Sequence, residues 1–267
     1  DERAVERGAH AVDTDVRRQA TNAVAFVVTV IVNGVAVSLP LNGLTTGEIS
    51  DRFPVLITPA SYVFGIWSVI YLLLAAFTIW QALPRNRTDA TLRSLGYLPT
   101  LAGALNALWV VLWHFEAFVL TVPVMLGLLL TLIASHVRLR AARAAAGPTR
   151  WLVALPFSVY LGWITVATIA NISQALYWAG YRGEPLGEVL WAVIVLGTGI
   201  AIAVSMLLRD ADWAFGLVIV WAYVGIAVRQ DEPIAVVAAL VGAVIVAAII
   251  GHVLWQRRGA VTASVAH

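Results

Sequence analysis

The sequence predicts an all-α polytopic membrane protein with eight spans and both termini cytoplasmic. Three observations carry this reading. The first is composition: of 267 residues, 61% are hydrophobic and only 12% charged, with mean hydropathy +0.87. Soluble domains carry roughly 25% charged residues. The second is that apolar runs recur eight times, near 22–40, 59–83, 95–115, 117–137, 151–176, 187–208, 212–228 and 234–255, most of them close to the ~20 residues that cross a hydrocarbon layer. The third is the placement of arginine. With the N-terminus cytoplasmic, fourteen of the 17 arginines fall in cytoplasmic segments and three, Arg52, Arg182 and Arg229, fall outside. That split follows the positive-inside rule and requires an even number of spans.

The elements follow in chain order. Residues 1–21 carry mixed charge and read as a polar tail or a short interfacial helix, the solvated tail being favoured because a high charge density resists burial. Span one contains Asn33. The connection 41–58 holds Asn42, Gly43, Thr45, Thr46, Gly47 and Pro54, which are turn and cap residues, and it is either a lid over a cavity or a plain connector. Span two is the organising stretch, TPASYVFGIWSVIYLLLAAFTIW from Thr58 to Trp80. Pro59 suits its first helical turn, and Trp67, Tyr71, Leu74 and Thr78 share one helical face. Span three places Asn106, Trp109 and Trp113 on one face. Only His114, Phe115 and Glu116 separate it from span four, which makes a tight helical hairpin. Span five keeps Tyr160, Trp163, Ala167, Asn171, Gln174 and Trp178 on one face, and the small Ala167 between large rings leaves room for a flat ligand. Span seven is the shortest. Residues 257–267 form a C-terminal tail.

Polar groups in hydrocarbon turn inward and mark helix contacts or a site. Asn33, Asn106, Asn171 and Gln174 are read either as interhelical glue, worth roughly 0.6 kcal/mol each, or as site groups. Trp80, Trp151, Trp178, Trp213 and Trp255 sit at span ends, where indole belongs to the interfacial belt; Trp67, Trp109 and Trp163 fall deeper. His114, His136 and His252 lie near span ends and read as interfacial residues. No Asp, Glu or Arg lies deep in any span, which disfavours ion-coupled transport and proton pumping. The chain has no cysteine, so thiolate metal sites and disulfides are excluded. All its basic residues apart from histidine are arginine, so a lysine Schiff base is excluded as well. No metal-ligand, phosphate-loop or nucleophile-elbow motif occurs, and no basic face for nucleic acid is present.

Three motifs carry a resemblance: TPASYVFGIWSVIY in span two, LNALWVVLWHF in span three and VYLGWITVATIANIS in span five. Together they resemble the tryptophan-rich sensory protein family (TspO/MBR, the translocator protein and peripheral benzodiazepine receptor group). The matching residues are Trp67 and Tyr71, then Leu105, Asn106 and Trp109, then Trp163, Ala167, Thr168 and Asn171. The resemblance covers about 22–178 and implies a five-helix bundle there, with 187–256 as an extension of three further helices. It implies a pocket for flat hydrophobic ligands, lined by Trp67, Asn106 and Trp163 with Tyr71, Trp109, Ala167 and Asn171 beside them, and closed by the loop between the first two helices. Family ligands are porphyrins and haem precursors, sterols and benzodiazepine-type compounds.

The expected function is therefore that of an integral-membrane sensor or regulator binding a tetrapyrrole such as protoporphyrin. No cofactor is expected to be bound covalently. The alternatives are a small-molecule transporter or exporter, and a pigment-associated subunit of a larger membrane complex. No catalytic or metal residue is assigned, and an enzymatic porphyrin breakdown is disfavoured by the absence of an acid–base pair at depth. The expected partners are membrane lipid, the hydrophobic ligand, and a second copy or membrane-complex subunit, with no nucleic acid. The simplest host is a prokaryotic cytoplasmic membrane.

Overall fold

Long apolar runs with no water to hydrogen-bond their backbone must close their own hydrogen bonds, and the helix does so within one segment. A computed structural model describes the backbone of residues 2–39, 41–145 and 147–265 and the side chains of 12–39, 41–145 and 147–257. Among the described residues every regular element is helical. The eight apolar runs become α1 (Glu2–Ser38), α3 (Ile66–Ala82), α5 (Leu98–His114), α6 (Phe118–Arg138), α8 (Leu155–Trp178), α9 (Glu188–Asp210), α10 (Trp213–Arg229) and α11 (Pro233–Val265). The short helices between them are α2 (Thr46–Asp51), α4 (Ala90–Leu95) and α7 (Arg140–Ala144).

Six of the apolar helices, counted with their flanking turns, are long and apolar enough to cross a membrane; α5 and α10 have 17 residues each. At 1.5 Å per residue, 17 residues rise about 25 Å, at the short end of what spans hydrocarbon. The expected third span, 95–115, is shorter because Gly96 at φ +60 ends α4 and Pro99 opens the first turn of α5. Outward-facing Leu72, Ile79, Val137 and Val244 are each exposed, as lipid-facing residues of an integral membrane protein are.

Five helices close a ring: α1 packs on α5, α5 on α6, α6 on α8, α8 on α3, and α3 back on α1. α8 is its most enclosed member, with 78% of its apolar window buried against 22–39% for the other five candidate spans. The last three helices pack on one another and join the ring chiefly through α10 on α8. The seam is close because Gly162 lacks a side chain: a Cβ there would sit 3.0 Å from Val218 Cβ and 3.1 Å from the Phe215 carbonyl. Small residues at such crossings let helix backbones approach where lipid offers no hydrophobic driving force.

Three expectations change. The polar tail is helical from Glu2, and Asp15, Arg18 and Gln19 are buried. Burial is tolerated because each finds a partner: Arg93 clamps Asp15 at 2.5 Å, Arg18 donates to the Arg87 carbonyl at 2.8 Å, and Gln19 and Gln81 exchange hydrogen bonds with each other's backbone. His114 and His136 are buried inside the protein instead of facing the interface. Pro59 precedes its helix: a 3-10 turn, Ser61–Gly65, comes first, and the Ala60 N–H donates to Gly225 O on α10 at 3.0 Å.

Candidate ligand cavity

The deep tryptophans converge where α3, α5 and α8 face one another. Trp163 lies 6.2 Å from Trp67 and 5.8 Å from Phe64, edge-on to both. Trp67 stacks on Tyr71 at 5.4 Å, and Trp109 stacks on Trp113 at 5.3 Å. Edge-on and offset-stacked rings are the arrangements that the ring quadrupole favours. Ala167 and Ala170 on α8 add no bulk, so a cavity of about 490 Å³, counting its mouth, remains between these walls. None of the lining side chains is charged.

The segment 41–60 covers the cavity, contributing Thr46, Ser50 and Pro59 to its lining. Its short helix α2 is held by a capping box: Glu48 N–H donates to the Thr45 hydroxyl, and the Glu48 carboxylate accepts from Thr45 N–H at 2.7 Å. The Thr45 N–H and the Thr45 hydroxyl, both donating to the Glu48 carboxylate, hold that carboxyl below its ordinary range. His114 fastens the segment to α5. The Leu41 carbonyl 3.1 Å from Nδ1 can only accept, so in the neutral ring Nδ1 carries the proton and Nε2 accepts from the Thr46 hydroxyl at 3.0 Å. Trp113 Nε1 donates to Thr46 O and Gln174 Nε2 donates to Ser50 Oγ at 2.8 Å. From the other side, Arg229 on α10 pairs with Asp51, and Gln230 donates to Thr58 O at 2.8 Å. The connection is thus a folded cover, tied to the ring and to the C-terminal helices alike.

Three polar atoms on cavity-lining residues are buried without a hydrogen-bond partner: Trp109 Nε1, Trp163 Nε1 and Asn171 Oδ1. An unpaired buried polar group costs about 1–3 kcal/mol. Asn171 is half satisfied, since its Nδ2 donates to Thr121 Oγ1 on α6 at 2.8 Å. Two indole donors and one amide acceptor on the lining residues are thus left without a protein partner.

Of the residues expected here, Trp67, Trp109, Trp163, Ala167 and Asn171 line the cavity; Tyr71 and Asn106 do not. Tyr71 lies behind Trp67 as its stacking partner. Asn106 is fully buried and accepts from Asn33 Nδ2 at 2.8 Å, joining α5 to α1. The sequence reading missed Ser50, Phe64 and Met125. Ser50 belongs to a helix signalled by Thr45 and Glu48 three residues apart, the capping-box pattern. Phe64 belongs to the aromatic run of span two, while nothing in the sequence marks Met125.

A family model described as TSPO-like protein matches residues 19–252. The chain belongs to that family. The match runs through the five-helix ring and on across α9, α10 and most of α11. No curated protein and no solved structure matches the chain. Membership in the TSPO-like family agrees with a membrane protein of the binding or sensor kind.

Proposed function

We propose that this TSPO-like chain is a membrane-embedded sensor or regulator that binds a flat hydrophobic molecule with polar substituents, a tetrapyrrole such as protoporphyrin or another haem precursor. The observation that carries the reading is the set of three unpaired polar atoms on residues that line a mostly apolar, aromatic cavity. A planar macrocycle meets the indole faces and edges through dispersion and ring electrostatics. Its carboxylates or carbonyls accept from Trp109 and Trp163 Nε1, and its pyrrole N–H groups have Asn171 Oδ1 to donate to. In low-dielectric surroundings each of these contacts is stronger than in water.

The ligand is held, and no residue is assigned to transform it. We place the arginine-rich helix ends in the cytoplasm of a prokaryotic host, with lipid and a second copy or membrane-complex subunit as partners. The alternative, transport, is favoured by one observation: a second cavity of about 400 Å³, lined by Leu74, Phe77, Thr78 and Tyr160, lies beside the first, and Tyr160 stands 5.9 Å from Trp67 between them. Gradient-dependent flux of a labelled porphyrin in proteoliposomes would support it.

Titration of the purified chain with protoporphyrin IX, followed by tryptophan quenching, tests the binding reading. Trp67→Phe and Trp163→Phe should each weaken binding several-fold, since each removes ring area and the second also removes a donor. Unchanged quenching curves in both variants reject this cavity.

A further inference from the structure

At the opposite end of α8 four elements meet around a polar cavity of about 340 Å³, counting its mouth. Its residues come from α7 (Arg143), the π-helical turn that precedes α8 (Arg150 and Trp151), the α9–α10 junction (Asp210, Asp212 and Trp213) and α11 (Arg257). The Trp151 and Trp213 rings lie against each other on its lining, 6.3 Å between centroids, and Trp151 is half exposed. Indoles in that position mark the level of the lipid headgroups.

The charges here do not cancel. The two carboxylates are already occupied: Asp210 accepts from Arg140 Nε at 2.9 Å and from His136 Nε2 at 3.3 Å, and Asp212 accepts from the Ser158 hydroxyl at 2.7 Å and from Phe215 N–H. The Arg143 side chain is 10% exposed, and it donates through Nη1 to the His136 carbonyl. Its Nε and Nη2 are buried with no hydrogen-bond partner, the nearest carboxylate oxygen lying 3.8 Å from Nη2. Burial lowers the Arg143 pKa from its ordinary value, yet arginine starts high enough to remain a cation. Arg150 rests 5.3 Å over the Trp151 ring, and neither Arg150 nor Arg257 has an ion pair among the described residues. Three guanidiniums thus surround one cavity with donors to spare, and guanidinium matches phosphate oxygens in bidentate geometry.

We propose that this cavity holds the phosphodiester headgroup of an anionic membrane lipid, with Arg143 beneath it, Arg150 and Arg257 at its mouth, and Trp151 and Trp213 against the glycerol and upper acyl chains. A soluble phosphate compound would satisfy the same donors. The flanking indoles and the position at the helix ends favour the lipid, whose chains can lie along the apolar outer faces of α9 and α11. Basic pockets between membrane helices are where anionic headgroups bind.

Native mass spectrometry of the full chain in detergent tests this, with phosphatidylglycerol, phosphatidylcholine and glycerol phosphate titrated separately. Phosphatidylglycerol should be retained about tenfold or more over phosphatidylcholine, and the paired variant Arg150→Gln/Arg257→Gln should lose that preference while binding protoporphyrin as the parent does. Arg143→Gln should lose it too. If that variant fails to fold, the paired variant decides alone, since both of its arginines are partly exposed. Equal retention of the two lipids, or phosphatidylglycerol binding undiminished in the paired variant, overturns the proposal. Glycerol phosphate bound as tightly as the lipid overturns the lipid assignment in favour of a soluble phosphate.

Discussion

The two ends of α8 carry cavities of comparable size and opposite chemistry. Near Asn171 the walls are indoles, small residues and two amides, and the unpaired atoms are neutral. Near Arg150 the walls are two indoles, three guanidiniums and two carboxylates already hydrogen-bonded, and the unpaired atoms belong to a cation. One helix can serve both because only its ends reach the polar headgroup level, while its middle lies where an unpaired charge is prohibitively costly. The first cavity also has a cover of its own, Leu41–Ala60, whereas the second is bounded by helix junctions alone. Tryptophan by itself does not specify a ligand here. What stands beside each indole does.

Gly162 lies between the two ends, and the largest effect on both is expected there. Gly162→Leu forces a side chain into Val218 and the Phe215 backbone. It should destabilise the fold by about 1–3 kcal/mol, read by denaturant titration in mixed micelles. A neutral result would mean that α8 and α10 are not packed closely and that the ends are built independently. A smaller, one-sided effect follows from the cover. Arg229→Gln removes the partner of Asp51, a pair partly open to solvent, so porphyrin should dissociate about two- to fivefold faster, with lipid retention at the far end unchanged. Equal off-rates would show that α10 does not hold the cover.

The smallest effect concerns pH. The Glu48 carboxyl is held below its ordinary range by the Thr45 N–H and hydroxyl. Its contribution to the cover is therefore present above the unfolded value of about 4.3 and is lost as pH falls through the lower, folded value. Hydrogen exchange of the 46–51 amides, corrected for its intrinsic pH dependence, should speed up between about pH 6 and about pH 3. In Glu48→Gln, which keeps the box without the charge, it should not.

Much of the fold is legible in the sequence, because hydropathy reports directly on the cost of placing backbone and charge in lipid. The eight apolar runs reappear as eight helices, shifted at their ends where Gly96 and Pro99 break the pattern. The cavity is partly legible, since helical spacing fixes which residues share a face but not how far each face is turned. That is why Trp67, Trp109 and Trp163 meet, while Asn106, read from the same argument, turns to Asn33 on α1. Leu74 and Thr78 share the face of Trp67, yet they line the neighbouring cavity instead. The buried pairs were not legible at all. Asp15 and Arg93 lie 78 residues apart, and only the ring of helices brings them together. The same holds for Arg229 and Asp51, 178 residues apart, the contact that links the C-terminal helices to the cover.

Ala167 is the residue whose smallness keeps the space between Trp67, Trp109 and Trp163 open, so filling it probes the receptor reading without removing any donor or acceptor. Protoporphyrin IX affinity of Ala167→Trp should fall about tenfold or more, with helix content and phosphatidylglycerol retention as in the parent. Parental affinity in a folded Ala167→Trp chain would show that the ligand sits elsewhere.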